Sequence, residues 1–374
     1  MKVFDCDGHV AEPRDLFDRY IDPALRDRAR ATMSIQDFET GGSGFVLEGR
    51  CLLRGVEAVT FAGQKPAAFL GKHWEEGYPG AFDPAQRLRD MDAEGIDRAM
   101  IFPSFLGILG GVSDASLAAA MARAYNRWML DYCSTEPHRL HGVAVVPLQA
   151  PALAAAEVER VAREGFRCVM VRPCPYRGLT IDHPEFEPFF AACEAADLVV
   201  GFHPFPFGDV TWTQGILTDL HSAPGTAILL ADMASLPMDS MLTMAYAMFG
   251  GVMDRHPRLR FSFLESNGSW AAMWIDRMDK RFHRSRYPAI RTPPSEIVAR
   301  QCFISLDGDE RALPAVAELI GEDVIVWASD FPHFDGKFPG AVDEAKEHVA
   351  VLPERVQRKF LGENASRMYG IPLG

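Results

Sequence analysis

Acidic and imidazole side chains in three separate parts of the chain have the residue types of a divalent-metal site. Asp7 and His9 flank a glycine near the N-terminus, and each of His203 and Asp330 follows an apolar run. Side chains two residues apart on a strand point to the same side, so a carboxylate and an imidazole from one strand can reach one ion. Each residue alone is also typical of a turn cap or a hydrogen-bonded structural histidine. Their shared position at the ends of predicted strands is what indicates a metal site.

Three further side chains are candidates for ligand or catalytic roles. Glu265 ends an apolar strand-like run and needs a metal or an arginine as a partner, because an unpaired buried carboxylate is costly. Arg172 could supply that partner or clamp a carboxylate or oxyanion, and a salt bridge at the barrel rim is the equal alternative. His221 could act as a general acid or base, or it could be a surface loop histidine; the same two interpretations apply to His333.

The chain alternates short apolar runs with longer helical patterns. This alternation predicts parallel strands joined by crossover helices. The predicted strands are residues 2–9, 97–103, 142–147, 168–172, 198–203, 259–265, 302–306 and 324–328, with helices at 83–94, 116–134, 153–163, 185–196, 239–254, 269–282, 312–319 and 342–350. We expect a (β/α)₈ TIM-like barrel rather than an open doubly wound sheet, because polar residues fall at strand ends all round the set, where a barrel places its active site.

Two stretches interrupt this alternation. Residues 35–74 are rich in glycine and short apolar runs and predict a small β-hairpin inserted after the first strand. Residues 204–238 form a long segment rich in Gly, Pro and aromatic residues after the fifth strand, which favours a pocket lid. We interpret residues 1–374 as a single barrel domain that carries both additions.

The composition excludes several classes of protein. A formal net charge of −13 argues against a nucleic-acid partner, which would need a basic face. The seven cysteines are scattered without a C-x-x-C pair, which is typical of reduced cytosolic thiols. The N-terminus lacks a signal sequence and no long apolar run predicts a membrane span, so we expect a cytoplasmic protein. Nucleotide-binding and serine-nucleophile motifs are absent from the sequence. A small-molecule substrate is expected, and a homodimer is compatible with the sequence.

Three motifs resemble the amidohydrolase superfamily. They are residues 7–13 (DGHVAEP), 87–96 (RLRDMDAEGI) and 327–333 (WASDFPH). They are most similar to the branch that contains aminocarboxymuconate semialdehyde decarboxylase and resorcylate decarboxylase. The resemblance implies a barrel with a divalent metal at its C-terminal rim, held by Asp7, His9, His203 and Asp330. The sequence departs from many members at two places, where Asp7 stands for a histidine on the first strand and Glu265 for a histidine after the sixth.

These departures bear on the predicted reaction. Asp7, Glu265 and Asp330 give three carboxylates beside two imidazoles, a set that suits Mn or Fe at least as well as Zn and that could hold one or two ions. Two ions sharing a hydroxide suit hydrolysis. The sequence therefore favours a hydrolase that cleaves an ester, thioester, amide or C–C bond of a small hydrophobic carboxylic acid derivative with metal-activated water.

In this hydrolytic interpretation Asp330 takes the proton from water, or Glu265 does so if it is not a ligand, while Arg172 helps hold the oxyanion. The alternative is a nonoxidative decarboxylase of a cyclic or aromatic acid, in which His221 or Asp330 delivers a proton to ring carbon. A barrel that has lost activity is the third hypothesis, and the intact set of candidate ligands argues against it.

Overall fold

Eight parallel strands form the barrel in the computed structural model, which describes residues 1–205, 231–285 and 287–374. The third of them is in two pieces, and a seven-residue first strand is buried along its whole length. In chain order the barrel strands are β1 (Phe4–Val10), β5 (Arg98–Pro103), β6 (Leu140–Gly142) with β7 (Ala144–Val145), β8 (Cys168–Val171), β9 (Val199–Phe202), β10 (Phe261–Phe263), β11 (Cys302–Leu306) and β12 (Ile325–Trp327). This architecture confirms the predicted barrel.

The strands pair in chain order round the barrel. One run joins β1, β5 and β6, and the other joins β7 through β12. The amide of Val143, between β6 and β7, donates to Ile101 O at 2.9 Å and continues the third strand. On the far side, Asp330 N donates to Asp7 O at 3.0 Å, so the segment after β12 closes onto β1.

The third strand covers residues 140–145, two residues earlier than the predicted 142–147. At its end the side chain of Asn126 bonds to the backbone of Val145, because its Oδ1 accepts from Val145 N and its Nδ2 donates to Val145 O. On its other side Val145 still pairs with Met170 of β8. The remaining strands differ from their predicted ranges only at the ends.

Helices cover the outside of the barrel and agree well with the predicted positions. Asp83 caps α3 by accepting from the amides of Ala85 and Gln86, and Gly95 ends it in the left-handed conformation, as the sequence predicted. The predicted helix 239–254 is interrupted at Gly250 and Gly251. The helices are α1 (Leu16–Tyr20), α2 (Arg26–Thr32), α3 (Pro84–Glu94), α4 (Ala115–Cys133), α5 (Pro151–Arg163), α6 (Glu187–Ala195), α7 (Leu236–Phe249), α8 (Val252–Arg255), α9 (Trp270–Arg284), α10 (Pro294–Gln301), α11 (Leu313–Ile320), α12 (Ala341–Val349), α13 (Glu354–Arg358) and α14 (Asn364–Tyr369).

The insertion after β1 is larger than the predicted hairpin. It contains a three-stranded antiparallel sheet of β2 (Met33–Asp37), β3 (Ser43–Leu47) and β4 (Arg50–Arg54), followed by short 3₁₀ turns as far as Glu76. The predicted hairpin corresponds to β3 and β4, and the strand that the prediction left out is β2, which begins at Met33, before the predicted residues 35–74. Most of the predicted lid, residues 206–230, lies outside the described residues.

None of the helices in the described ranges is both long and apolar enough to cross a membrane.

Candidate metal centre

The first strand carries two of the predicted ligands on one side, as its sequence indicated. Asp7 Oδ1 lies 3.6 Å from His9 Nε2, and both side chains are almost fully buried. A register irregularity between Asp5 and Gly8 separates Asp5 from this pair, as β-bulges beside active sites commonly do. A larger residue at position 8 would clash with Arg87, because a Cβ there would lie 2.6 Å from Arg87 Nη2.

Three more predicted residues converge on this pair from other strands. His203 follows β9 and places its Nε2 3.0 Å from His9 Nε2 and 3.3 Å from Asp7 Oδ2. Glu265 follows β10, and its Oε2 lies 2.9 Å from His203 Nε2. Asp330 follows β12, with Oδ1 3.4 Å from His9 Nε2. The structure therefore brings all five proposed metal ligands together at the C-terminal ends of the strands.

Backbone carbonyls fix the orientation of both imidazoles. His9 Nδ1 lies 3.0 Å from Pro103 O, and His203 Nδ1 lies 2.9 Å from Pro204 O. Because a carbonyl can only accept, each ring carries its proton on Nδ1 and turns a lone pair on Nε2 toward the shared centre. This arrangement is the one that metal-binding histidines use.

The segment that carries Asp330 is tied to the barrel by groups that bind no metal. Asp5 accepts hydrogen bonds from the amide and the hydroxyl of Ser329, at 2.9 and 2.6 Å. The guanidinium of Arg87, which is buried, donates to Phe331 O and stacks 4.4 Å from the Phe331 ring. Asp330 itself has a positive φ of 53°, a strained conformation that such anchoring sustains.

The buried charges of this centre favour the binding of a cation. Burial raises the pKa of Asp7 to about 6. Burial and the nearby carboxylates of Glu265 and Asp335 raise the pKa of Asp330 well above its usual value. For His203, burial lowers the pKa, but the carboxylates of Asp7 and Glu265 outweigh it and raise the pKa well above normal. The raised pKa values of Asp7 and Asp330 reduce the negative charge of the site, and the raised pKa of His203 adds a positive charge, so protons provide the charge compensation that a bound metal ion would otherwise supply.

The donor set fits a divalent metal. Asp7 Oδ1 and Asp330 Oδ1 are buried and have no hydrogen-bond partner in the described part of the chain. The ligand atoms of Asp7, His9 and His203 lie within 4.8 Å of one another. The centre offers three carboxylates, two of them with an unpartnered oxygen, and two imidazole nitrogens. Mn²⁺, Fe²⁺ and Zn²⁺ bind to donor groups of these kinds.

The remaining predicted site residues have different outcomes. Arg172 is buried at the end of β8, where its Nη2 donates to Phe205 O at 3.3 Å. The suggested pairing of Arg172 with Glu265 is wrong, since the ion-pair partners of Glu265 among the described residues are His203 and His333. His221 lies outside the described residues, so its role stays a prediction.

His333 enters the site more closely than the sequence indicated. Its Nδ1 lies 2.8 Å from Asp330 Oδ2, and its ring stacks on that of His9 with centroids 4.3 Å apart. The ring is only 8% exposed, which excludes the interpretation as a surface loop histidine. The spacing Asp330-x-x-His333 was the available signal.

An acidic cavity of about 470 Å³ opens beside the centre. Two residues that the sequence analysis overlooked, Asp307 after β11 and Asp335, line it together with Asp7, Glu265 and Asp330. Burial, with Glu310 nearby, raises the pKa of Asp307 to about 7. Asp307 belongs to the acidic loop 307–310 (DGDE), whose sequence is typical of a solvent-exposed turn.

The chain matches the family described as amidohydrolase over residues 4–371. It is 25% identical to a 2-amino-3-carboxymuconate-6-semialdehyde decarboxylase of Dictyostelium discoideum over 80% of each chain. It is 26% identical to a gamma-resorcylate decarboxylase of Rhizobium radiobacter, over 86% of this chain and 98% of the relative.

Solved structures show the same fold. An amidohydrolase from Mycobacterium avium subsp. paratuberculosis superposes with a TM-score of 0.81 at 23% identity, covering 100% of this chain and 99% of that one. A dihydroxybenzoic acid decarboxylase from Polaromonas, which holds manganese and the inhibitor 2-nitroresorcinol, has a TM-score of 0.63 at 18% identity, covering 99% and 97%. With the family match spanning nearly every residue, the chain belongs to the amidohydrolase family.

Proposed function

We propose that this enzyme is a metal-dependent, nonoxidative decarboxylase of a small aromatic or other cyclic unsaturated carboxylic acid. The observation that carries the proposal is the convergence of two imidazoles and three carboxylates at the C-terminal rim of a barrel of this family. The sequence favoured hydrolysis, but the curated relatives described above are decarboxylases, which favours the alternative. Manganese in the Polaromonas structure supports Mn²⁺ as the first metal to test.

The metal, when bound, would supply a Lewis acid that orients and polarises an oxygen-bearing substrate. We assign its binding to Asp7, His9, His203, Glu265 and Asp330. The two imidazoles are held by carbonyl acceptors and cannot rotate freely. The protein therefore presents a preorganised set of donors, which keeps the reacting group of the substrate in one orientation.

Decarboxylation also requires a proton at the carbon that loses CO₂. Asp330 and His333 form a hydrogen-bonded pair beside the proposed ligands. This pair occupies the neighbourhood in which a proton donor is needed, and it compensates for Glu265 standing where many relatives have a histidine. We therefore assign proton delivery to the Asp330–His333 pair, with His221 as the alternative donor that the sequence suggested.

Arg172 is the proposed anchor for an anionic part of the substrate. It is buried at the end of β8, on the same rim as the metal ligands. A guanidinium binds carboxylates and developing oxyanions through paired hydrogen bonds. A homodimeric state stays a prediction.

Hydrolysis remains the second candidate, because the centre contains more carboxylates than one divalent ion requires. The two reactions differ in their products. The Mn²⁺-loaded protein should be incubated with dihydroxybenzoates, 5-carboxyvanillate and cyclic carboxylic acids in one series, and with aryl esters and lactones in another, while CO₂ release and acid release are measured.

We expect CO₂ from at least one acid, and we expect the Asp330→Asn variant to lose at least about 100-fold in turnover while it keeps most of its metal, since removal of a positioned proton-transfer group typically costs 10²–10⁴-fold. Ester or lactone cleavage without CO₂ release from any acid would replace the proposal with the hydrolytic one. An Asp330→Asn variant with unchanged turnover would remove Asp330 from catalysis.

A further inference from the structure

Arg87 is a buried cation without a carboxylate bonded to it. It lies on α3 with only 2% of its surface exposed. Among the described residues its guanidinium makes no ion pair, and its Nη2 has no hydrogen-bond partner. The carboxylates of Asp5 and Asp90 act on it only at longer range. Burying a charge in this way disfavours folding, so the stability of the barrel does not explain why an arginine occupies this position.

The hydrogen bond and the ring contact that Arg87 makes lie where β1 meets the segment after β12. Its Nη1 donates to Phe331 O at 3.3 Å, and its guanidinium stacks 4.4 Å from the Phe331 ring. The same carbonyl accepts the amide of His9 at 2.6 Å. Arg87 therefore shares an acceptor with the backbone of one proposed ligand, and that acceptor belongs to the residue directly after another, Asp330.

Arg87 also approaches the backbone between the two ligands of β1. A Cβ on Gly8 would lie 2.6 Å from Arg87 Nη2, so this approach depends on the glycine. The two ligand-bearing segments touch each other at the same place, where Asp330 N donates to Asp7 O at 3.0 Å. Arg87 contacts both segments at this joint, and its position therefore sets the separation between Asp330 and the ligands on β1.

We propose that Arg87 is a positioning residue that holds Asp330 at metal-binding distance from the two ligands on β1. It touches neither the ion nor the substrate, and the inference rests on the proposed metal site but not on the reaction catalysed there. Without Arg87 the Phe331 carbonyl keeps only the amide of His9. The backbone of Asp330, whose φ is 53°, can then relax toward an ordinary conformation. The donor set becomes less well arranged, and a divalent ion binds more weakly.

A positioning role and a merely structural role predict different results when Arg87 is replaced by an apolar residue. An arginine that only supported the fold would leave the metal affinity of the folded molecules unchanged after its loss. A positioning arginine lowers that affinity even in molecules that fold normally. The fold itself should tolerate the change, because a buried charge is removed and Asp5 keeps its two hydrogen bonds from Ser329.

The test is a calorimetric titration of the metal-free, full-length protein with MnCl₂, well below its unfolding temperature. We expect Arg87→Met to bind Mn²⁺ about 10–100-fold more weakly than the unmodified protein, the loss typical when a group that supports a metal ligand is removed. Unchanged affinity in a folded Arg87→Met protein would overturn the proposal and leave the metal site intact. An unmodified protein that binds no Mn²⁺ would refute the metal site and this inference together, so the two failures are distinguishable.

Arg139→Met is the matched control. Arg139 also donates to backbone carbonyls, those of Ile96 and Asp97, but at the end of β5 opposite the rim. Its replacement should leave the affinity for Mn²⁺ unchanged, and equal losses in the two variants would show that Arg87 acts through general stability. If Arg87→Met does not fold, Arg87→Lys takes its place, because lysine keeps the charge but lacks the planar guanidinium. Full affinity in Arg87→Lys would then overturn the proposal in the same way.

Discussion

Glu12 and Asp330 are both acidic residues that follow barrel strands, but they differ in the hydrogen-bond partners that surround them. Glu12 is fully buried, and its two oxygens accept backbone amides from Ser104, Phe105 and Leu106 at 2.8–3.3 Å. Asp330 has an oxygen with no hydrogen-bond partner among the described residues. The carboxylates of Glu265, Asp335 and Asp7 all raise the pKa of Asp330.

The difference shows which buried acidic groups receive their hydrogen bonds from the protein itself. Glu12 holds the start of the 3₁₀ turn Leu106–Gly111 and the segment after β5. Pro103, whose carbonyl orients His9, is the last residue of β5 and directly precedes that segment. Glu12 therefore serves as a positioning residue, whereas Asp330 and its neighbours are arranged for a cation that the protein must acquire.

The largest expected effect comes from His203→Ala. Loss of this side chain should abolish activity and most of the bound metal, because His203 Nε2 lies within 3.3 Å of His9 Nε2, Asp7 Oδ2 and Glu265 Oε2 in the middle of the donor set. The fold should survive, as judged by circular dichroism, since the barrel strands keep their pairings. Full metal content with normal turnover in this variant would exclude His203 from the centre.

A smaller effect is expected from Glu12→Gln. The amide group can accept fewer of the three backbone hydrogen bonds and turns a donor toward another donor, so the free energy of unfolding should fall by about 1–3 kcal/mol. Because Glu12 also supports the carbonyl that orients His9, the affinity for Mn²⁺ should fall by roughly 10–100-fold, as is typical when a group supporting a metal ligand is lost. A metal-competition assay measures this change.

The smallest effect on the site is expected from the control, Glu57→Gln. Glu57 is equally buried and accepts the Ser43 amide at 2.9 Å, but it lies in the inserted sheet region. Its replacement should lower stability without changing Mn²⁺ affinity. Equal losses of metal affinity in both variants would mean that Glu12 acts through general stability and not through His9.

The sequence predicted the barrel because short, largely apolar runs alternate with helical patterns, some of which have clear boundary residues, such as Asp83 and Gly95 around α3. It also predicted Asp7, His9, His203, Glu265 and Asp330, since residues at strand ends of a barrel meet on one rim. The structure brings these five together.

The remaining parts depend on contacts that no local pattern records. Glu12 and Arg87 occur in motifs that the sequence singled out, but their roles require knowing which backbone groups lie above them. Asp307 joins the cavity only through the packing of the loops after β10 and β11. The inserted sheet was underestimated because β2 is short and half polar, and only its pairing with β3 makes it a strand.

The central claim is that the rim carboxylates are held together by divalent metal, and the most direct test is metal content combined with thermal unfolding of the unmodified protein. The account predicts at least one divalent ion per chain, a lower unfolding temperature after chelation, and recovery when Mn²⁺ is restored, because an ion that binds only the folded state stabilises it by about 2.7 kcal/mol at 100 times its Kd. A protein that contains no metal and unfolds at the same temperature with or without Mn²⁺ would contradict the account.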